Sequence, residues 1–144
     1  LAATFAAVLA AAPAQAGELA VWRADSIVWQ IDRPNGTKLA LLEGDWNKPG
    51  MPFTYAFYMP ADVWFQPHTH PADARIVVLR GTLLLGTGDK LDKDKTTALS
   101  VGDAGFVPAG LPHYEGSKGV TILLGTAIAP WGTTFLEEGL MSSH

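Results

Sequence analysis

Three of the four histidines in this chain fall in two short motifs whose spacing suits metal chemistry. The first is Pro67-His68-Thr69-His70, with Gly81 eleven residues beyond His70. The second runs Gly102, five residues, Pro108, one residue, Gly110, two residues, His113. Imidazole binds most divalent transition metals. In an extended segment successive side chains alternate between faces, so His68 and His70 project the same way. A third ligand must come from another strand facing the same pocket, and His113 is the histidine placed to supply it. His144 is the last residue and is not expected to ligate. Three neutral imidazoles leave the charge of a divalent ion uncompensated and leave coordination positions open for water, substrate or dioxygen. A structural zinc normally has four protein ligands, so an open three-histidine set points to catalysis or to small-ligand binding. The expected cofactor is one divalent transition metal (Fe, Zn, Ni, Mn or Cu) held by His68, His70 and His113.

Other side chains near these motifs carry two readings each. Glu115 lies two residues past His113 and shares its face if the segment is extended, where it is placed to act as a general acid or base. The plainer reading is a solvated rim residue. In Phe53–Met59, alternation separates Phe53, Tyr55, Phe57 and Met59 from Thr54, Ala56 and Tyr58. One set faces the cavity, so the pocket hydroxyl is that of Tyr55 or Tyr58, and Tyr58 is taken with Glu115 as a candidate catalytic group. Trp64 and Phe65 either wall the pocket mouth or belong to the core. Arg75 either anchors an anionic substrate or pairs with Asp73 or Asp103.

Strands must position these residues. Ser26–Ile31 and Lys38–Leu42 are short apolar runs separated by Arg33-Pro34-Asn35-Gly36, a strong turn signal. Phe53–Met59 is aromatic and β-favouring, and Pro60 ends it. Val63–His70 is extended, with Pro67 and Pro71 excluding a helix. Arg75–Leu79 and Thr82–Gly86 look like two strands hinged at Arg80-Gly81. Gly86–Thr96, rich in Asp and Lys, reads as an exposed hairpin loop. It lacks the spacing and closing Glu of a calcium loop. Short strands follow at Leu99–Asp103, Ala104–Val107, Pro112–Glu115 and Val120–Ala127. Strands at this interval, with Gly and Pro between them and no sustained helical period, mark an all-β sandwich or barrel.

The stretch from His68 to Gly81, followed by Gly102 to His113, resembles the two motifs of the cupin superfamily. The first is usually histidine-x-histidine, three or four residues, glutamate, six residues, glycine. The second is glycine, five residues, proline-x-glycine, two residues, histidine, three residues, asparagine. The resemblance covers roughly residues 39–128 and implies a double-stranded β-helix, or jelly-roll barrel, with the metal near its centre. Gly81-Thr-Leu-Leu-Leu-Gly-Thr-Gly-Asp-Lys-Leu-Asp and Pro108-Ala-Gly-Leu-Pro-His-Tyr further resemble a subset of small bacterial cupins. Two positions depart from the pattern. Counting seven back from Gly81 puts Ala74 where the glutamate ligand usually stands, and Ser117 replaces the asparagine. The remaining three-histidine set resembles the sites of cysteine dioxygenase and of the diketone-cleaving cupin dioxygenase. Asp73 reaches the ion as a fourth ligand only if a bulge turns it inward.

The rest of the chain bounds the function. Residues 1–16 are small, apolar and uncharged, and end in Ala14-Gln15-Ala16, the pattern of a secretory signal. A periplasmic or secreted protein is expected, with N-terminal strands over 17–38, the barrel over 39–128 and a surface-packed tail over 129–144. Net charge is −4 and no basic patch is visible, so nucleic acid is not an expected partner. No later apolar run is long enough to span a membrane. The expected partner is a small-molecule substrate or ligand. Five tryptophans suggest a homodimer interface. The expected activity is a metal-dependent enzyme with dioxygenase-like chemistry. The alternatives are a non-redox lyase, isomerase or hydrolase, and a binding protein without turnover.

Overall fold

Period-two apolar alternation, interrupted by glycine and proline, folds into antiparallel strands throughout the computed structural model, which describes residues 12–15 and 17–137. Among the described residues there are nine strands and no α-helix. Accordingly, no described helix is long and apolar enough to cross a membrane.

The strands are β1 (Ile31–Asp32), β2 (Lys38–Gly44), β3 (Pro52–Met59), β4 (Trp64–Thr69), β5 (Ala74–Thr87), β6 (Thr97–Leu99), β7 (Ala104–Val107), β8 (His113–Ile128) and β9 (Thr134–Phe135). Two of them are long and organise the rest. β5 and β8 pair with each other from Arg75↔Thr126 to Thr87↔His113. The C-terminal half of β8 also pairs with β3, which continues to β2 and β1. The N-terminal half of β8 pairs with β4, which pairs with β9. β5 in turn carries β7 on its first half and β6 on its second. The two long strands thus belong to two sheets at once, and their bends wrap the sheets around one core. This is the jelly-roll barrel that the motif resemblance implies.

The bend explains one difference from expectation. Arg75–Leu79 and Thr82–Gly86 are one continuous strand, not two. At Gly81 the backbone turns into positive φ (+74°), and a Cβ there would lie 2.2 Å from the Val120 carbonyl oxygen. Only glycine tolerates both conditions. The register shifts on either side of Arg80, so the ladder kinks without ending. The segments expected at Pro112–Glu115 and Val120–Ala127 are likewise joined in β8.

The core lies between the sheets and includes Leu39, Phe53, Phe57, Met59, Phe65, Val78 and Leu83. A smaller cluster on the outer face of β2 and β3 (Ala40, Leu42, Ala56) is covered by Ile27 and Trp29. In Ser26–Gln30 only Ile27 and Trp29 pack in this way, and the strand itself begins at Ile31. The loop after β5 is clamped down: Tyr114 donates its hydroxyl hydrogen toward the Asp92 and Lys95 carbonyls at 2.9 and 3.3 Å. Of the segment expected as a surface tail, the described residues 129–135 pack into the fold. β9 joins the sheet beside β4, and Trp131 and Thr133 are buried. Of the segment read as a secretion signal, residues 1–11 and 16 lie outside the described residues, as does His144. The Ala14 N–H donates to the Leu42 carbonyl at 2.8 Å.

Candidate metal centre

The strand register brings the three histidines together. His68 on β4 sits directly opposite His113 at the start of β8. His70 follows just past the end of β4 and, two residues on, faces the same interior. The ring centroids of His68 and His113 are 4.2 Å apart, those of His68 and His70 4.8 Å, and those of His70 and His113 5.1 Å. One ligand atom from each of the three lies within 4.8 Å of the others.

Each ring is oriented by the main chain. His68 Nδ1 lies 2.6 Å from the Gln66 carbonyl, His70 Nδ1 2.7 Å from that of Gly132, and His113 Nδ1 2.9 Å from that of Leu111. A carbonyl oxygen only accepts, so each Nδ1 donates, and in the neutral ring Nε2 carries the lone pair. Burial keeps the rings neutral. Desolvation, with the neighbouring imidazoles second, lowers His68 to about 2. Desolvation lowers His70 to about 4, against the raising effect of its Gly132 bond. His113 is also lowered by burial. Trp131 stacks on His70 with centroids 4.1 Å apart and planes 18° from parallel, which fixes that ring further.

These residues fit a divalent ion. His68 is fully buried (0 % exposed), yet its Nε2 has no hydrogen-bond partner. Glu115 Oε2 is in the same condition, 3.7 Å from His68 Nε2 and 3.8 Å from His113 Nε2. A buried polar atom without a partner is costly, and a cation bound among these lone pairs would satisfy them together.

The site lies in a cavity that opens to solvent, with about 540 Å³ of space including its mouth. Its walls are mostly apolar, including Tyr55, Phe57, Phe65, Leu83 and Leu123. The polar groups His70, His113, Glu115, Thr133 and Arg33 also line it. Burial raises the Tyr55 phenol above its usual value, with the Glu115 charge adding to the effect. Burial likewise raises Glu115 to about 8, while Arg33 acts in the opposite sense.

The expected residues divide as follows. His68, His70 and His113 converge. Glu115 is a cavity residue, 8 % exposed, and not a solvated rim residue. Tyr58 faces away from the cavity, contrary to expectation: it packs edge-on against Trp29 at 5.6 Å and under the Lys38 ammonium at 5.8 Å. The tyrosine in the cavity is Tyr55, because the set Phe53, Tyr55, Phe57 and Met59 points inward. Asp73 is exposed, and its Oδ1 accepts the Ala109 N–H at 2.8 Å, so it secures the Pro108–Gly110 turn. Arg75 lies over the Phe106 ring at 5.2 Å, on the outside. Ser117 braces the β3–β4 turn by donating to the Pro60 carbonyl and accepting the Val63 N–H at 3.0 Å. Ala74 is buried and lines the cavity.

Sequence reading missed Arg33 and Trp131. Arg33 sits in what read only as turn chemistry, and its guanidinium reaches the Phe57 and Phe65 rings at 5.9 and 5.6 Å. Trp131 was assigned to the tail. An isolated tryptophan between Pro130 and Gly132 was the available signal, since so large a ring normally seeks burial.

Comparison with known proteins agrees with this fold. A family model described as a cupin domain matches residues 55–124. Over 56 residues the chain is 41% identical to germin-like protein 5-1 of Oryza sativa subsp. japonica, a match of 38% of this chain and 25% of that protein. The chain thus spans about a quarter of the length of this curated relative. Among solved structures, a cupin superfamily protein of Desulfitobacterium hafniense shares the fold with a TM-score of 0.54 and 17% identity, over 69% of this chain and 84% of that one. A salicylate 1,2-dioxygenase of Pseudaminobacter salicylatoxidans does so with a TM-score of 0.58 and 14% identity, over 73% of this chain and 32% of that one. At such identities the likeness is one of fold.

Proposed function

We propose that this chain, matched by a cupin-domain model over residues 55–124, is a divalent-metal-dependent enzyme of the cupin superfamily acting on a small organic substrate, with dioxygenase-like chemistry. One observation carries the proposal. Three neutral imidazoles, each fixed through Nδ1 by a backbone carbonyl, aim their lone-pair nitrogens into one end of an apolar cavity. His68, His70 and His113 would hold the ion. When bound, it supplies a Lewis acid beside the substrate, and a redox-active ion such as iron also supplies electrons for oxygenation.

The protein's own residues do the rest. Tyr55, Phe57, Phe65, Leu83 and Leu123 exclude water and present apolar surface to the substrate. The cavity volume suits a small molecule and not a polymer. Arg33 brings a positive charge to the cavity, which favours substrates with an anionic group. Trp131 holds His70 in place, so the geometry exists before substrate arrives.

Elemental analysis of purified protein, paired with oxygen-uptake measurements on small diketones and thiols, tests this reading. About one equivalent of iron and substrate-dependent oxygen consumption are expected. Zinc or nickel without oxygen uptake would replace oxygenation by non-redox chemistry or binding. Metal content at background level, unchanged in His68→Ala, His70→Ala and His113→Ala, would overturn the metal site itself.

A further inference from the structure

The first motif offers no carboxylate to the ion, because Ala74 stands where one would be expected and Asp73 is engaged with the Ala109 backbone. The interior nevertheless holds a carboxylate with one oxygen left without a hydrogen-bond partner. Glu115 Oε2 is buried without a hydrogen-bond partner, 3.7 Å from His68 Nε2 and 3.8 Å from His113 Nε2. Both rings donate through Nδ1 to backbone carbonyls, so both Nε2 atoms are acceptors. With Glu115 ionised, three acceptors meet with no hydrogen between them. Such a cluster is costly unless a proton or a metal cation is shared inside it, and a bound metal ion satisfies all three groups at once. The spacing of Glu115 from His68 and His113 also fits. Ligand atoms held at about 2.0–2.2 Å from one ion are separated by about 3–4 Å, depending on the angle between them.

The strand explains how the carboxylate arrives there. Glu115 is two residues past His113 on β8, so it shares the histidine's face. It lies opposite Phe65 on β4 and Leu85 on β5, apolar neighbours that offer it no competing donor.

We infer that Glu115 is a fourth protein ligand to the metal, a carboxylate supplied by the second motif in place of the one missing at Ala74. The inference rests on the three-histidine reading above. It changes the site from three neutral nitrogens to a mixed nitrogen and oxygen set. One unit of the ion's charge is compensated, and the preference moves toward iron, manganese and zinc.

The test uses chelator-stripped full-length protein: wild type, Glu115→Gln, Glu115→Asp and His113→Ala. Cobalt(II) binding is followed by visible absorption, and zinc(II) affinity by competition with a chromophoric chelator. Glu115→Gln is expected to weaken zinc binding on the order of 10- to 100-fold and to shift the cobalt absorption bands. Metal-free Glu115→Gln is expected to melt no lower than wild type, since its amide can donate to His68 Nε2. That opposite response separates a ligand from a residue that merely supports the fold. Glu115→Asp keeps the charge but shortens the reach, and shows the same spectral shift even if Glu115→Gln folds poorly. Wild-type affinity and an unchanged cobalt spectrum in both Glu115 variants, with binding lost in His113→Ala, would overturn this inference and leave the histidine trio intact. No binding by wild type would overturn both.

Discussion

At the scale of single residues, the site depends on imidazole lone pairs being aimed before any ion arrives. The three Nδ1 bonds to backbone carbonyls fix tautomer and rotation together, as outer partners of metal ligands generally do. His70 depends most on a distant part of the chain, because both its hydrogen bond to Gly132 and its stack on Trp131 come from the C-terminal segment. Trp131→Ala is therefore expected to weaken metal binding and to lower stability by about 3 kcal/mol or more. Metal titration and urea unfolding would check the two effects, and unchanged affinity would show that the stack is only packing. The three histidines were legible in the sequence because period-two spacing and paired turns are local signals. Tyr58 was misplaced because alternation sorts a strand into two faces without saying which faces inward. That sign is set by β2 and β8, which flank β3 and lie far from it in sequence. Glu115 was placed on the correct face by the same alternation, but its burial depends on Phe65 and Leu85 across the ladders, which no local pattern reveals.

At the scale of elements, the two long bent strands decide whether the histidines meet. Gly81 lets β5 turn from one sheet into the other, with the Val120 carbonyl close against its Cα. Gly81→Ala is expected to cost about 1–3 kcal/mol or more, from positive φ and the backbone clash together. Thermal unfolding would measure it, and a neutral result would mean that the bend does not need glycine. Gly125 illustrates the same economy of space. A Cβ there would lie 2.3 Å from the Tyr55 ring, so Gly125→Ala is expected to displace Tyr55 and alter the cavity wall. A changed Tyr55 ring environment by NMR, with β3 and β8 amide shifts otherwise retained, is the expected signature. Strand positions were largely legible, but their continuity was not. Glycine in a strand pattern signals either an end or a bend, and only pairing to a second long strand selects the bend. β9 was illegible for a different reason: two residues carry no period, and their strand exists because β4 offers an edge.

At the scale of the whole molecule, the barrel is closed around its site by segments outside the span that carries the motifs. Arg33 enters from the N-terminal side and Trp131 from the C-terminal side, both beyond residues 55–124. The all-β jelly roll was legible because two motifs with specific spacing point to one architecture. The cavity's charge and lining were not, since they are assembled from the ends of the chain. Arg33→Met keeps much of the apolar stem and removes the charge. It is expected to weaken binding of small carboxylate ligands by about tenfold while leaving metal content unchanged. Calorimetry with the metal-loaded protein would check this, and equal affinity would remove Arg33 from substrate recognition.

The convergence of His68, His70 and His113 on one ion is tested most directly by X-ray absorption on protein loaded with one equivalent of zinc(II). The expected spectrum shows three imidazole nitrogens at about 2.0–2.1 Å, with the multiple-scattering features of the rings and the remaining scatterers oxygen. A shell made of oxygen alone, or one with fewer than two imidazoles, would contradict the account.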